Sequence, residues 1–175
     1  MIRVPLKRLT AESASGIGQV IRHLDEARPA LRRGRMVVER IEVTRRGDRL
    51  HFQNHAVGDS GPVATLVDGC ARVSHVNFHS DASQAFISRR REATVFLVAP
   101  PAERARAEDF VALYSDGSLG LCMLPDVWHT TPLPVTGSQE YDNTQGDQYH
   151  SSTVDHDFAQ DDVVLEVPLR EPEPA

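Results

Sequence analysis

The chain has 175 residues, of which 40% are hydrophobic and 25% are charged, and these values are ordinary for a folded globular protein. A chain of this length most often forms one domain. The net charge of -6 at pH 7 opposes binding to phosphate backbones and anionic membranes, so we expect neither nucleic acid nor a membrane as a partner.

Residues 10–27 contain the first predicted element, a short N-terminal helix. Thr10 could cap this helix, and apolar residues between positions 17 and 24 recur at roughly helical spacing. Gly16 and Gly18 lie in the same stretch and weaken the helical signal.

From residue 36 onward, short runs rich in β-branched and aromatic residues predict strands. The runs cover residues 36–44, 49–53, 63–67, 71–79, 94–99, 110–114, 119–124 and 163–169. Turn-forming Gly, Pro, Asp and Ser residues separate them. Many short strands with scarcely a helix between them predict an all-β protein whose antiparallel sheets close as a sandwich, jelly roll or barrel.

The rest of the chain is organised around this β-rich region. We expect a single domain over residues 1–169 and a flexible tail over residues 170–175, which read REPEPA. The polar segment 136–157 is weakly patterned, and it predicts a loop or a loosely held hairpin that could cover the mouth of a cavity.

Cysteine usage and the start of the chain bear on the cellular compartment. Cys70 and Cys122 lie far apart in the sequence, and we expect two free thiols rather than a disulfide. The start, MIRVPLKRLT, lacks the apolar core of a signal peptide, and no apolar run approaches the length of a membrane span. We therefore expect a cytoplasmic protein.

Two segments carry histidines at informative positions. In a strand, His75, Asn77 and His79 would share one face because side chains alternate between faces. That face is either exposed to solvent or lines a hollow where imidazoles could move protons or bind a metal. In the proline-bracketed segment LPDVWHTTPLPV, His129 would face the interior of the sheet while Trp128 anchors the other side.

The run SRRRE, Ser88–Glu92, predicts a solvated hairpin turn or, alternatively, a rim of guanidinium groups that binds anions. The sequence contains no Gly-rich phosphate loop, HExxH, GxSxG or zinc-binding Cys/His set. We therefore set aside the chemistries that depend on those motifs.

Three segments together resemble the ureidoglycolate lyase family in order and spacing. They read HSDASQAFISRRREATVFLVAP (79–100), FVALYSDGSLGL (110–121) and DVWHTTPL (126–133). The resemblance implies a cupin-like antiparallel β-barrel or jelly roll, usually a homodimer, with the site inside the barrel. It also implies that a small carboxylated substrate, ureidoglycolate, is split into glyoxylate and urea, late in allantoin breakdown.

Splitting this hemiaminal needs a base for the hydroxyl proton and an acid for the departing urea nitrogen. By position in the family motifs, either His79 or His129 would act as base or acid. Arg90 would grip the carboxylate, and Gln84 would orient the substrate amide. The further expected site residues are Glu92, as a catalytic group, and Trp128 and His75, as substrate contacts.

The sequence departs from the family pattern at several positions. Thr130 replaces the second histidine of a Trp-His-His motif, Leu124 falls in a stretch that is commonly more polar, and Ser88 stands where the family has proline. Fewer polar groups in the pocket favour a substrate that differs from ureidoglycolate and could be less polar.

Two alternatives stay open from the sequence. A metal-using cupin isomerase, dehydratase or oxygenase could bind a divalent metal through His75, His79 and His129, although the chain lacks the HxH-plus-glutamate pattern of metal cupins. The second alternative is a noncatalytic module that keeps the barrel and binds a small molecule.

Overall fold

The computed structural model describes residues 1–56 and 58–174. Its strands, in chain order, are β1 (Ile2–Arg3), β2 (Leu6–Arg8), β3 (Gly18–Ile21), β4 (Met36–Arg46), β5 (Arg49–Asn54), β6 (Asp59–Val67), β7 (Cys70–Val73), β8 (His75–His79), β9 (Gln84–Ser88), β10 (Thr94–Ala99), β11 (Val111–Ser115), β12 (Gly120–Met123), β13 (Trp128–His129), β14 (Leu133–Pro134), β15 (Gln139–Gly146), β16 (Thr153–Asp157) and β17 (Leu165–Pro168). The helical elements are α1 (Tyr149–Ser152) and the 3-10 turns Leu24–Glu26, Ala107–Asp109 and Phe158–Asp161.

The strands of the described residues form two sheets. The larger sheet has the order β1-β17-β7-β6-β5-β4-β15-β9-β12-β3, and the smaller has the order β16-β8-β13-β10-β11-β2, with β14 also paired to β10. Most neighbours are antiparallel, while β1 runs parallel to β17 and β2 runs parallel to β11. The two sheets have free end strands, so the fold is open rather than a closed barrel.

The predicted all-β fold class is confirmed by this architecture. One large hydrophobic core contains buried apolar side chains from nearly the whole chain, from Val4 to Leu169. Removing these side chains from water is the main favourable contribution to folding. Both cysteines are free and buried, as expected.

The helix predicted over residues 10–27 is wrong except for one 3-10 turn. Thr10 does cap a turn, because its Oγ1 accepts a hydrogen bond from the backbone of Ser13 at 3.0 Å. Gly16 then adopts a φ of 76°, which a helix cannot continue through. Gly18 begins β3, and its backbone lies so close to β12 that a Cβ atom there would collide with the Cys122 carbonyl oxygen. The chain therefore adds an edge strand at this point.

The loop or loose hairpin predicted over residues 136–157 is also wrong. Most of the segment forms β15, α1 and β16. β15 lies inside the larger sheet, where it pairs with β4 over eight positions and with β9 over four. Backbone ladders on both sides hold this polar segment in place.

The predicted strands between residues 36 and 67, at 94–99 and near the C-terminus agree with the structure, and the predicted run 71–79 is divided into β7 and β8 at Ser74. The single domain over residues 1–169 stays a prediction. So does the flexible tail 170–175, within which Glu171 pairs with Arg8 at 2.5 Å and Ala175 lies outside the described residues. No helix in the described chain has the length and apolar character needed to cross a membrane.

Candidate functional site

A cavity of about 350 Å³ lies between the two sheets, and both contribute to its wall. The smaller sheet contributes His75, Asn77 and His79 from β8 and His129 from β13. The polar face predicted for residues 75–79 therefore lines a hollow rather than only the outer surface. The larger sheet contributes residues of β4, β5, β6, β9 and β15, and Tyr149 of α1 completes the wall.

The larger sheet lines this cavity with primary amides. Gln84 on β9 and Asn143 and Gln145 on β15 are buried and face the cavity. The Gln84 Nε2 amide donates to Gln145 Oε1 at 2.9 Å and to Asn143 Oδ1 at 3.2 Å. Within the described chain, Asn143 Nδ2 and Thr131 Oγ1 are buried without a hydrogen-bond partner. Because an unpaired buried polar atom is costly, these two atoms mark positions where a bound ligand would gain hydrogen bonds.

His79 presents one unpaired ring nitrogen in this cavity. Its Nδ1 lies 2.7 Å from the Thr153 hydroxyl, and that hydroxyl already donates its proton to the Tyr149 carbonyl at 2.5 Å. Thr153 can therefore only accept from His79, so Nδ1 carries the proton of the neutral ring. Nε2 is left with a lone pair, and among the described residues it has no partner. This atom is suited to accept a proton from a ligand.

His129 lies beside His79, with ring centroids 5.2 Å apart, but both of its nitrogens face oxygen atoms of the protein. Nδ1 lies 2.9 Å from the Val127 carbonyl oxygen and Nε2 lies 2.9 Å from Gln84 Oε1. A ligand in the cavity would therefore find the reactive nitrogen on His79 rather than on His129.

Burial controls the charge of both rings. Removal from water, together with the nearby His129 and His150, lowers the pKa of His79 to about 3. Burial likewise lowers the pKa of His129 to about 4, while the Val127 carbonyl oxygen, which favours a charged ring, acts in the opposite direction. Both rings are therefore neutral at pH 7. Among the described residues of the cavity wall there is no Lys or Arg.

Arg90 and Glu92 lie apart from this cavity. They line a second, smaller hollow of about 140 Å³ together with Ser88 and residues of β4 and β15. The cause is the direction of β9, which carries Gln84 at the histidine cavity and Ser88 at the other hollow. Neither residue lies beside His79, and the roles expected for both stay predictions.

The two remaining expected contacts occupy different environments. His75 lies at the exposed part of the cavity wall, where its Nε2 pairs with Asp155 at 3.0 Å. Trp128 is buried outside the cavity lining. Its ring packs edge-on against Phe78 with centroids 4.7 Å apart, and its indole N–H donates to the Ala102 carbonyl at 3.1 Å. Trp128 therefore supports the strand that carries His129.

The three histidines considered for a metal site, His75, His79 and His129, differ in the partners of their ring nitrogens. In the described residues, no three His, Cys, Asp or Glu side chains come together in an arrangement that could hold a metal ion. The His75 ring is paired with Asp155, and the His129 nitrogens both face oxygen atoms of the protein. The metal site at these three histidines therefore stays a prediction.

The lowered pKa values of the buried His79 and His129 rings predict that acid destabilises the fold. Their pKa values are lower in the folded chain, at about 3 and about 4, than in the unfolded chain, at about 6.5. The unfolded state therefore binds more protons below pH 6.5, and stability is lost as the pH falls from there. We expect the free energy of unfolding to fall by up to about 1.4 kcal/mol per pH unit for each ring, measured by urea denaturation between pH 7.5 and pH 5.

Two variants test whether the loss of stability at low pH comes from His79 and His129. His79→Asn should remove about half of the pH dependence, whereas His55→Asn should leave it unchanged because the His55 side chain is 62% exposed. Equal stability of the unmodified chain at pH 6.5 and pH 5 would contradict the buried, neutral state of both histidines.

Residues 1–166 match the family model described as ureidoglycolate lyase. A search of curated proteins found no match to the chain.

Proposed function

The chain belongs to the ureidoglycolate lyase family, and we propose that it splits ureidoglycolate, or a closely related hemiaminal that carries a ureido group, into an aldehyde acid and urea. Family membership supports a lyase function. The observation that favours a ureido substrate is the cavity wall, where the unpaired Asn143 amide and Thr131 hydroxyl lie in the same wall as the free His79 nitrogen. A ureido group and a carboxylate both offer oxygen atoms to such donors.

His79 can move the one proton that the reaction requires. The hydroxyl group of the hemiaminal gives its proton to His79 Nε2, and its oxygen forms the new carbonyl group. The bond between carbon and the urea nitrogen breaks, and its electron pair stays on nitrogen. The imidazolium of His79 then returns the proton to that nitrogen, which releases urea. One histidine can therefore act first as base and then as acid.

The substrate itself supplies the negative charge that makes this step feasible. A neutral ring whose pKa is about 3 is a weak base in the empty cavity. An anion within a few ångströms favours the charged form of a histidine and raises its pKa. In a cavity without Lys or Arg among its described lining residues, the substrate carboxylate would stabilise the imidazolium as it forms. The polar donors of Asn143 and Thr131 would hold the substrate oxygens meanwhile.

The direct test is incubation of the purified protein with ureidoglycolate, with glyoxylate and urea measured separately. We expect both products in equal amounts and faster than the spontaneous decay of the substrate. Product formation at the spontaneous rate would remove ureidoglycolate as the substrate. Thermal stabilisation by ureidoglycolate that is recovered unchanged would instead indicate the noncatalytic binding module.

Three further expectations accompany this proposal. They are a homodimeric assembly, a cytoplasmic location and a place in allantoin breakdown. The first can be measured by light scattering coupled to size-exclusion chromatography. A cofactor is not needed for the proton transfer described above.

A further inference from the structure

We infer that Glu39 on β4 is a positioning residue, which fixes the proton of His129 on Nε2 through a one-directional chain of two amides. The inference concerns the same cavity and rests on the proposed function for its catalytic meaning. Its physical content concerns the protein alone and can be tested without a substrate.

The chain begins at a carboxylate that can only accept hydrogen bonds. Glu39 Oε2 accepts from Gln145 Nε2 at 2.9 Å and from Asn54 Nδ2 at 2.6 Å. The orientation of Asn54 is fixed independently, because its Oδ1 accepts from the Ala56 backbone N–H at 3.0 Å. The nitrogen of the Gln145 amide must therefore face Glu39, and its oxygen must face away.

The direction set by Glu39 passes along the chain to the histidine. Gln145 Oε1 accepts from Gln84 Nε2 at 2.9 Å, which turns Gln84 Oε1 towards His129 Nε2 at 2.9 Å. Gln84 Oε1 can only accept a hydrogen bond, so this orientation of the amide favours the proton on Nε2. In each of these hydrogen bonds the donor lies on the His129 side and the acceptor on the Glu39 side. The final bond, from Gln145 to the Glu39 carboxylate, involves a charged acceptor, and such hydrogen bonds are roughly twice as strong as those between neutral groups. Bonds in a chain also polarise one another.

The Val127 carbonyl competes for the same proton. It lies 2.9 Å from Nδ1, and a neutral ring has one proton for two nitrogens. Burial keeps the ring neutral at pH 7. The carbonyl belongs to the backbone and cannot turn away, whereas the Gln84 amide can rotate if it is released. The proton therefore stays on Nε2 as long as Glu39 holds the amides, and it moves to Nδ1 when Glu39 is removed.

The direction of the chain also decides what the cavity offers to a ligand. Because Gln84 presents its nitrogen to Asn143 Oδ1 at 3.2 Å, Asn143 Nδ2 is left unpaired. If Gln84 rotated, its oxygen would face Asn143, and the Asn143 amide would turn to donate to it. The free donor in the cavity wall would then be lost. Glu39 thus keeps a donor available for an oxygen atom of the substrate.

The test is NMR of the chain with ¹⁵N-labelled histidine, which distinguishes a protonated ring nitrogen from an unprotonated one. We expect His129 to carry its proton on Nε2 in the unmodified protein and on Nδ1 in Glu39→Ala. Asp142→Ala is the matched control, since Asp142 lies on β15 next to Asn143 but pairs with Arg89 outside the cavity, and it should leave the His129 signals unchanged. If Glu39→Ala does not fold, Gln145→Leu cuts the same chain at its next link.

An Nδ1 proton in the unmodified protein would overturn the inference, and so would an Nε2 proton retained in a folded Glu39→Ala or Gln145→Leu variant. For an active enzyme, Glu39→Ala should also raise KM by about 2- to 10-fold, the usual value of one lost hydrogen bond. Because the NMR result does not depend on any substrate, a failure of the proposed reaction leaves it intact, and the reverse also holds.

Discussion

Replacing His79 by Ala is expected to lower the turnover of ureidoglycolate by about 100- to 10,000-fold, the usual contribution of a general base or acid. The reason is that, of the two buried rings, His79 has a nitrogen without a partner among the described residues, whereas both nitrogens of His129 already face protein oxygens. The measurement is the rate of glyoxylate release under saturating substrate, with circular dichroism to verify the fold.

His55→Ala is the control for this change, because the same side chain is removed from an exposed position and turnover should not change. Added imidazole should restore part of the activity of His79→Ala, which a mere loss of packing would not allow. Turnover within about threefold of the unmodified enzyme would exclude His79 as the proton carrier. The rate would then have to depend on another group of the cavity, and Tyr149 is a poor candidate because burial raises the pKa of its hydroxyl.

Replacing Trp128 by Ala is expected to lower the free energy of unfolding by about 3–5 kcal/mol, the typical cost of deleting a buried tryptophan. The ring is 2% exposed, packs edge-on against Phe78 and uses its N–H in a bond to the Ala102 carbonyl. Trp128→Phe keeps much of the packing and loses the hydrogen bond, so its cost should be about 1–3 kcal/mol. Urea denaturation at pH 7.5 measures both values.

This experiment also separates two functions of Trp128. If Trp128 supports β13 from outside the cavity, the folded Trp128→Phe enzyme should keep the KM of the unmodified protein. A KM that rises more than about tenfold in a fully folded Trp128→Phe chain would return Trp128 to the substrate contacts that the sequence led us to expect.

The strands that could be predicted are those with apolar side chains. β10, which reads TVFLVA, is buried at every position, and such a run is recognisable without knowledge of the fold. β4 alternates more buried and less buried residues over positions 37–44, and this period of two is also recognisable in the sequence. The very short strands β1, β2 and β14 depend on pairing with distant partners, which no local pattern encodes.

β15 was missed because three of the four alternating side chains on its buried face are amides. Gln139, Tyr141, Asn143 and Gln145 point inwards and are buried, whereas the intervening residues are partly exposed. A strand period of two is therefore present in the sequence, but it alternates uncharged polar residues with Glu140, Asp142 and Thr144. Hydrophobicity alone does not detect this pattern. The sequence does show amides at alternate positions with mostly charged residues between them. This pattern indicates a strand that lines a polar cavity.

Part of the candidate site could be predicted because side chains alternate between the two faces of a strand. The alternation of side chains along β8 and the segment around His129 placed imidazoles in a hollow, and the rings of His79 and His129 do lie together. Proximity in sequence does not show which residues share a cavity. Gln84, Arg90 and Glu92 are close neighbours in sequence, yet β9 spans the sheet and separates Gln84 from the other two. Glu39 is distant in sequence from all of these residues. Only the hydrogen bonds of the folded chain connect it to His129.

The position of β15 has a consequence for how this pocket can change in evolution. Its register is held by main-chain bonds to β4 and β9, which do not depend on side-chain identity. Exchanging an inward amide for another residue of similar size would alter the ligand preference without shifting the scaffold. Related enzymes could therefore acquire new specificities through single substitutions at positions 143 and 145, while the neighbouring ladders preserve the architecture.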